Sequence, residues 1–180
     1  ALWVQGPNAK LEVINGSLIE ANYFSISTDA TLQGGGLLYG GADIMLKDSK
    51  FIAGETGFMT NVSPATVNIE NCEFSGNHQA AFLRGGTYTI KNSSFTLKAE
   101  LESTHSENNH MKQWQDGNRA AFAGITIGNY LSSAYQYPTT VAMTGVTVKV
   151  EGTHASSFPA VHVCANAADN KGVVLTYDGS

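Results

Sequence analysis

From Ala65 to Leu97 the chain alternates apolar and polar residues with a period of two, in a phrase that occurs twice. Val67-Asn68-Ile69-Glu70-Asn71-Cys72-Glu73-Phe74 returns as Tyr88-Thr89-Ile90-Lys91-Asn92-Ser93-Ser94-Phe95. Such alternation marks a half-buried strand, with Val67 and Ile69 facing inward. The asparagine that follows tolerates the left-handed backbone of a sharp corner. A second short strand then carries the phenylalanine.

The phrase recurs along most of the chain. Leu11 to Leu18, Ile44 to Phe51 and Val141 to Val148 are further copies, and Val174-Leu175-Thr176-Tyr177-Asp178 begins a last one. The corner position therefore runs Asn15, Asp48, Asn71, Asn92, Gly145, Asp178, with spacings of 33, 23, 21, 53 and 33. A coil of fixed minimum size that accepts insertions explains these values. Leu18, Phe51, Phe74, Phe95 and Val148 are expected to form one column. A third strand is read at Ala81-Phe82-Leu83-Arg84. Its relatives are Gly57 to Thr60, Ala121 to Gly124, Ala160 to Val163 and the opening Ala1 to Gly6.

Three short strands per turn, with like residues stacked turn upon turn, predict an all-β chain. The expected fold is a right-handed parallel β-helix solenoid of about 5–6 coils. The pattern resembles the right-handed parallel β-helix, or pectin-lyase-like, superfamily, and within it the repeat-rich bacterial surface proteins and adhesin passenger domains. Phe74-Ser75-Gly76-Asn77 and the pairs Gly40-Gly41 and Gly85-Gly86 are similar to short elements of such adhesins. The resemblance implies a secreted or cell-surface protein.

Composition fits this architecture. Glycine is abundant at 19 residues, proline sparse at 4, and charged residues make up only 14 %, which suits many tight corners. The length allows one core, so residues 1–180 are expected to form a single β-helix domain. Neither end carries an obvious amphipathic cap. The chain is therefore expected to be a segment of a longer protein, or to meet further coils or protomers at its ends. Net charge is −5 and the only arginines are Arg84 and Arg119. That balance disfavours a nucleic-acid partner, which needs clustered cations. No apolar run approaches a membrane span. Cys72 and Cys164 read as two half-buried thiols, with a disulfide as the alternative. Asn15, Asn61 and Asn92 open glycosylation tripeptides, two of which coincide with the corner.

Two segments break the regularity. Lys98 to Arg119 is the most polar run and contains Trp114, Asp116 and Arg119; Gly128 to Pro138 contains Tyr130, Tyr135 and Tyr137. Insertions of a solenoid collect on its outside and commonly carry recognition. Aromatic faces among planar hydrogen-bonding groups suit contact with a sugar or a protein. The alternative is that these rings fold back over a strand face. His105, Glu107 and His110 have ligand chemistry but match no strong metal motif. No metal or cofactor is expected. His162 is expected to point to solvent or bond a carbonyl.

Catalysis would use an outward column. The columns are read as Glu12, Met45, Asn68, Thr89, Ala142, Leu175 and as Ile14, Lys47, Glu70, Lys91, Thr144, Tyr177. Neither offers the paired carboxylates of a hydrolase or the carboxylate cluster of a calcium-dependent lyase. Glu70 and Lys91, or Asp116 and Arg119, are the residues an enzyme would draw on. An ice-binding face is disfavoured because no threonine column persists. The expectation is a non-catalytic extracellular or cell-surface module that binds a glycan or a host or cell-surface protein through the segments 98–119 and 128–138. The alternatives are a polysaccharide-active lyase or hydrolase and a purely structural stalk.

Overall fold

The computed structural model describes residues 2–5, 8–22, 24–29, 32–33, 37–38, 42–60, 65–100, 111–113, 119–129, 138–165 and 172–178. The first coil holds β1 (Leu2–Gln5), β2 (Lys10–Val13) and β3 (Leu18–Ala21). The second holds β4 (Phe24–Asp29), the short pair β5 (Leu32–Gln33) and β6 (Leu37–Leu38), then β7 (Asp43–Lys47) and β8 (Lys50–Ala53). The third is β9 (Thr56–Met59), β10 (Thr66–Glu70) and β11 (Glu73–Gly76). The fourth is β12 (Gln79–Leu83), β13 (Gly86–Lys91) and β14 (Ser94–Lys98). The antiparallel pair β15 (Met111–Gln113) and β16 (Arg119–Ala121) precedes the fifth coil, β17 (Ala123–Asn129), β18 (Thr139–Thr144) and β19 (Thr147–Glu151). A 3-10 turn at Ala155–Ser157 leads to β20 (Val161–Ala165) and β21 (Val173–Asp178).

These strands stack into three parallel sheets. Sheet A runs β1-β4-β9-β12-β17-β20, sheet B runs β2-β7-β10-β13-β18-β21, and sheet C runs β19-β14-β11-β8-β3. The chain is a right-handed parallel β-helix with three strands per coil: five full coils and two strands of a sixth.

The corner between sheets B and C is set by backbone conformation. Asn15, Asp48, Asn71 and Asn92 have φ of 62°, 51°, 52° and 47°, and Gly145 has 62°. Only Gly, Asn and Asp take that left-handed region cheaply. Asn71 Nδ2 also donates to Asp48 Oδ1 of the rung below at 3.0 Å. The next position is a hydroxyl column. Ser49 Oγ donates to Lys47 O and Ser93 Oγ to Lys91 O, each at 2.7 Å. Cys72 takes the same place in the rung between, donating from Sγ to Glu70 O at 3.3 Å, while its N–H donates to Ser93 Oγ at 3.0 Å. Burial pushes this free thiol above its usual range, so Cys72 is an inert structural group.

Inside the coil, Ile44, Leu46, Val67, Ile69, Tyr88, Ile90, Val141 and Met143 of sheet B are buried. From sheet C, Phe51 stacks on Phe74 at 4.7 Å and 10°, and Phe74 on Phe95 at 4.8 Å and 4°. Phe58 of sheet A meets Phe74 at a tilt, 6.2 Å and 51°. Burial of each ring is worth roughly 1.5–3 kcal/mol.

Several registers differ from expectation. In the first coil Ile19, not Leu18, pairs with Phe51; Leu18 pairs with Lys50 and is exposed. The cause is an extra corner residue, Gly16, with φ of 75°. In sheet A, Ala81 aligns with Phe58 and Val161, the positions after the expected Gly57 and Ala160, and with Ile125, well past Ala121. The strand β4 fills an expected gap, with Ile26 between Leu2 and Phe58. In the last coil Val141 pairs with Leu175 and Thr144 with Asp178. The corner therefore falls one position past Asp178, outside the described residues. Leu175 turns inward, and the outward columns end in Thr176 and Asp178.

Candidate functional site

The connections between strands divide sharply by corner. Sheet B passes to sheet C in short turns at 14–17, 48–49, 71–72, 92–93 and 145–146. Sheet A passes to sheet B through 6–9, 30–42, 60–65, 130–138 and 166–172, and only in the fourth coil through the pair Arg84 and Gly85. Sheet C passes to sheet A in two long connections, 99–122 and 152–160, and elsewhere in short turns. Every long connection therefore opens at an end of a sheet A strand. The two segments marked by the sequence leave from opposite ends of β17, whose seven residues span roughly 20 Å.

His105, Glu107, His110, Trp114, Asp116, Tyr130, Tyr135 and Tyr137 lie outside the described residues. Arg119 opens β16, opposite Gln113 of β15. Its side chain is outside them too. Glu70 and Lys91 are on adjacent rungs of one outward column, with Lys47 on the other side of Glu70. The Lys47 Nζ–Glu70 Oε2 distance is 3.4 Å, and Lys50 Nζ lies 2.9 Å from Glu73 Oε2 on sheet C. These side chains are about half exposed, so each pair contributes at most a few tenths of a kcal/mol to about 1 kcal/mol. Beside this column, Thr66, Thr87 and Thr140 stand on consecutive rungs. The expectation that no threonine column persists is thus corrected: this one begins a residue ahead of the recurring phrase.

Two polar clusters flank the ends of sheet A, and the sequence pointed to neither. At the tight fourth-coil corner Arg84 is 1 % exposed. Its Nε donates to Thr60 O at 3.2 Å, its backbone N–H to Thr60 Oγ1 at 2.8 Å, and its guanidinium lies 4.5 Å from the centre of the Phe82 ring. The buried Tyr88 hydroxyl is 2.7 Å from Thr60 Oγ1 and 2.5 Å from Gly85 O. Burial pushes that hydroxyl well above its usual range, against the opposing pull of Thr60 and of the Arg84 charge. Gly86 is required here, because a Cβ would sit 2.2 Å from Ala65 O. The arrangement braces the turn. Arginine is permanently charged and Tyr88 holds its proton at neutral pH, so neither can serve as a base there.

At the other end, the column Glu55–His78–Phe122–Phe158 lines the corner where the chain enters sheet A. His78 Nδ1 lies 3.5 Å from Glu55 Oε2, and the ring is 3 % exposed. It stacks on Phe122 at 4.6 Å and 9°, and Phe122 meets Phe158 at 5.8 Å and 47°. Leu97, Ala99, Phe122 and Phe158 form a small core of their own, with Val150 against it. Next to it Thr56 Oγ1 donates to Gln79 Oε1 at 2.7 Å.

His162 extends the outward column of Ser27, Met59, Phe82 and Thr126. It differs from expectation. The ring is half-buried, burial lowers its basicity, and Nε2 has no hydrogen-bond partner among the described residues. No helix among the described residues is long and apolar enough to cross a membrane. Comparison with family models, curated proteins and solved structures finds no match to the chain.

Proposed function

We propose that this is a non-catalytic β-helix module of a secreted or cell-surface protein, of the pectin-lyase-like, adhesin-passenger type. In this proposal it binds an extracellular glycan or a host or cell-surface protein through the segments 98–119 and 128–138. One observation carries the reading: the long connections gather at the two ends of the sheet A strands, while the turns between sheets B and C stay short. A rigid stack that concentrates its insertions in this way presents them together. Trp114, Asp116, Arg119, Tyr130, Tyr135 and Tyr137 would supply ring faces and planar hydrogen-bonding groups. A polysaccharide-active enzyme would need a second carboxylate near Glu70, whose partner is Lys47.

The test is a glycan and cell-surface protein array probed with the intact chain and with a chain lacking residues 99–118. Binding by the intact chain that disappears on deletion supports the proposal. Equal binding by both would remove the first segment from any recognition role, and binding by neither would favour a structural stalk.

A further inference from the structure

The segment 99–122 returns to the solenoid at Phe122, and the ring of Phe122 rests on an imidazole. We propose that His78 is a positioning residue for this insertion, a proton-sensitive latch that acts through Phe122 with Glu55 as its counter-charge. The inference rests on the proposed recognition role only for its biological purpose; the latch itself is built from the solenoid.

The rungs explain the geometry. His78 N–H donates to Glu55 O at 2.9 Å, and Ala123 N–H donates to His78 O at 3.2 Å. Glu55, His78 and Phe122 are therefore successive occupants of one corner column. The imidazole lies between a carboxylate at 3.5 Å and a parallel ring at 4.6 Å. Among the described residues these are the groups that face it. On its own strand the neighbouring Gln79 is uncharged and bonded to Thr56. Beyond Phe122 the corner carries uncharged Phe158. Glu100 accepts from Thr153 Oγ1 at 3.0 Å, and His154 bonds through its backbone N–H to Ala99 O.

A protonated His78 makes two attractions that a neutral one lacks: an ion pair with Glu55 on one face, and a cation over the Phe122 ring on the other. Each acts in a site from which water is largely excluded, where such attractions are strongest. Proton uptake therefore tightens the seat of Phe122 and with it the return of the insertion onto β17. Proton loss leaves the ring stack alone.

Hydrogen exchange of the segment 119–124, corrected for the intrinsic pH dependence of exchange, reads the latch without any ligand. In the intact chain, protection at pH 6 should exceed that at pH 8 by roughly three- to tenfold. His78→Gln should abolish that difference while β10 and β11 keep their protection, which shows that the solenoid remains folded. Phe122→Leu, which keeps an apolar side chain but removes the ring, should reduce it as well. Protection equal at the two pH values in the unaltered chain, or a difference that survives His78→Gln, overturns the proposal. The array experiment on the shortened chain is a separate readout, so the latch and the recognition role can fail independently.

Discussion

Phe74 and Phe95 belong to successive copies of the repeat and lie ring on ring, 4.8 Å between centroids and 4° from parallel. Phe51 continues the stack on the other side. Phe74 is thus the middle ring of three and touches Phe58 of sheet A as well. Replacing it with alanine removes a buried ring that neighbouring rungs are too regular to fill. Phe74→Ala should lower stability by about 3–5 kcal/mol in denaturant titrations. Phe74→Leu should lose clearly less. Near-equal losses would mean that the ring stack adds nothing beyond bulk.

The corner makes a different demand. Asn71 holds φ of 52° and bonds to Asp48. Asn71→Ala forfeits the bond and puts a Cβ residue into left-handed backbone, for a loss of about 1–2 kcal/mol. Asn71→Gly keeps the backbone relaxed and should lose about half as much. Urea midpoints of the two variants decide this, and a glycine variant less stable than the alanine variant would contradict it.

Glu70 sits between Lys47 and Lys91 on the outer face. Because the pair with Lys47 is half exposed, Glu70→Gln should change stability by only a few tenths of a kcal/mol, and the change should shrink in molar salt. The same variant bears on catalysis. Robust polysaccharide turnover by the intact chain, lost in Glu70→Gln, would overturn the non-catalytic proposal.

Tyr88 links stability to alkaline pH. In the unfolded chain its hydroxyl loses a proton near pH 10, whereas in the folded chain burial holds the proton to higher pH. Above about pH 10 the folded state therefore binds more protons than the unfolded state, and stability falls as pH rises. Tyr88→Phe should be about 1–2 kcal/mol less stable at pH 7, through loss of bonding to Thr60 and Gly85. It should then show a shallower decline between pH 9 and pH 11. Denaturant midpoints across that range check both parts, and parallel declines would remove Tyr88 from the alkaline transition.

Much of this fold is legible from residue type. The corner column stands out because left-handed backbone selects Asn, Asp and Gly, and the sheet B strands stand out because one face is wet. Sheet A is harder to place. All five residues of β12, Gln79 to Leu83, are buried, so alternation cannot tell its inner face from its outer one. That is why its register slips. Gly16 shifts Leu18 outward for a related reason, since an extra corner residue flips the strand that follows. The Arg84 and His78 clusters depend on partners from other coils, remote in sequence, and emerge only once the rungs are aligned. The aromatic insertions are recognisable as departures from the repeat, but composition carries no information on how their side chains converge.

Vertical registration across the longest gap is the most exposed part of the account. Thr87 and Thr140 are separated in the chain by both insertions, yet they are direct neighbours in sheet B. Adjacent rungs lie about 4.8 Å apart, within disulfide reach. With Cys164 replaced by serine, the pair Thr87→Cys and Thr140→Cys should close to a disulfide under mild oxidation, seen as a mass loss and a gel shift. The pair Thr87→Cys and Ala142→Cys, displaced by two positions, should close poorly. Efficient closure of the displaced pair, or of neither, would contradict the stacked register on which the proposed sites depend.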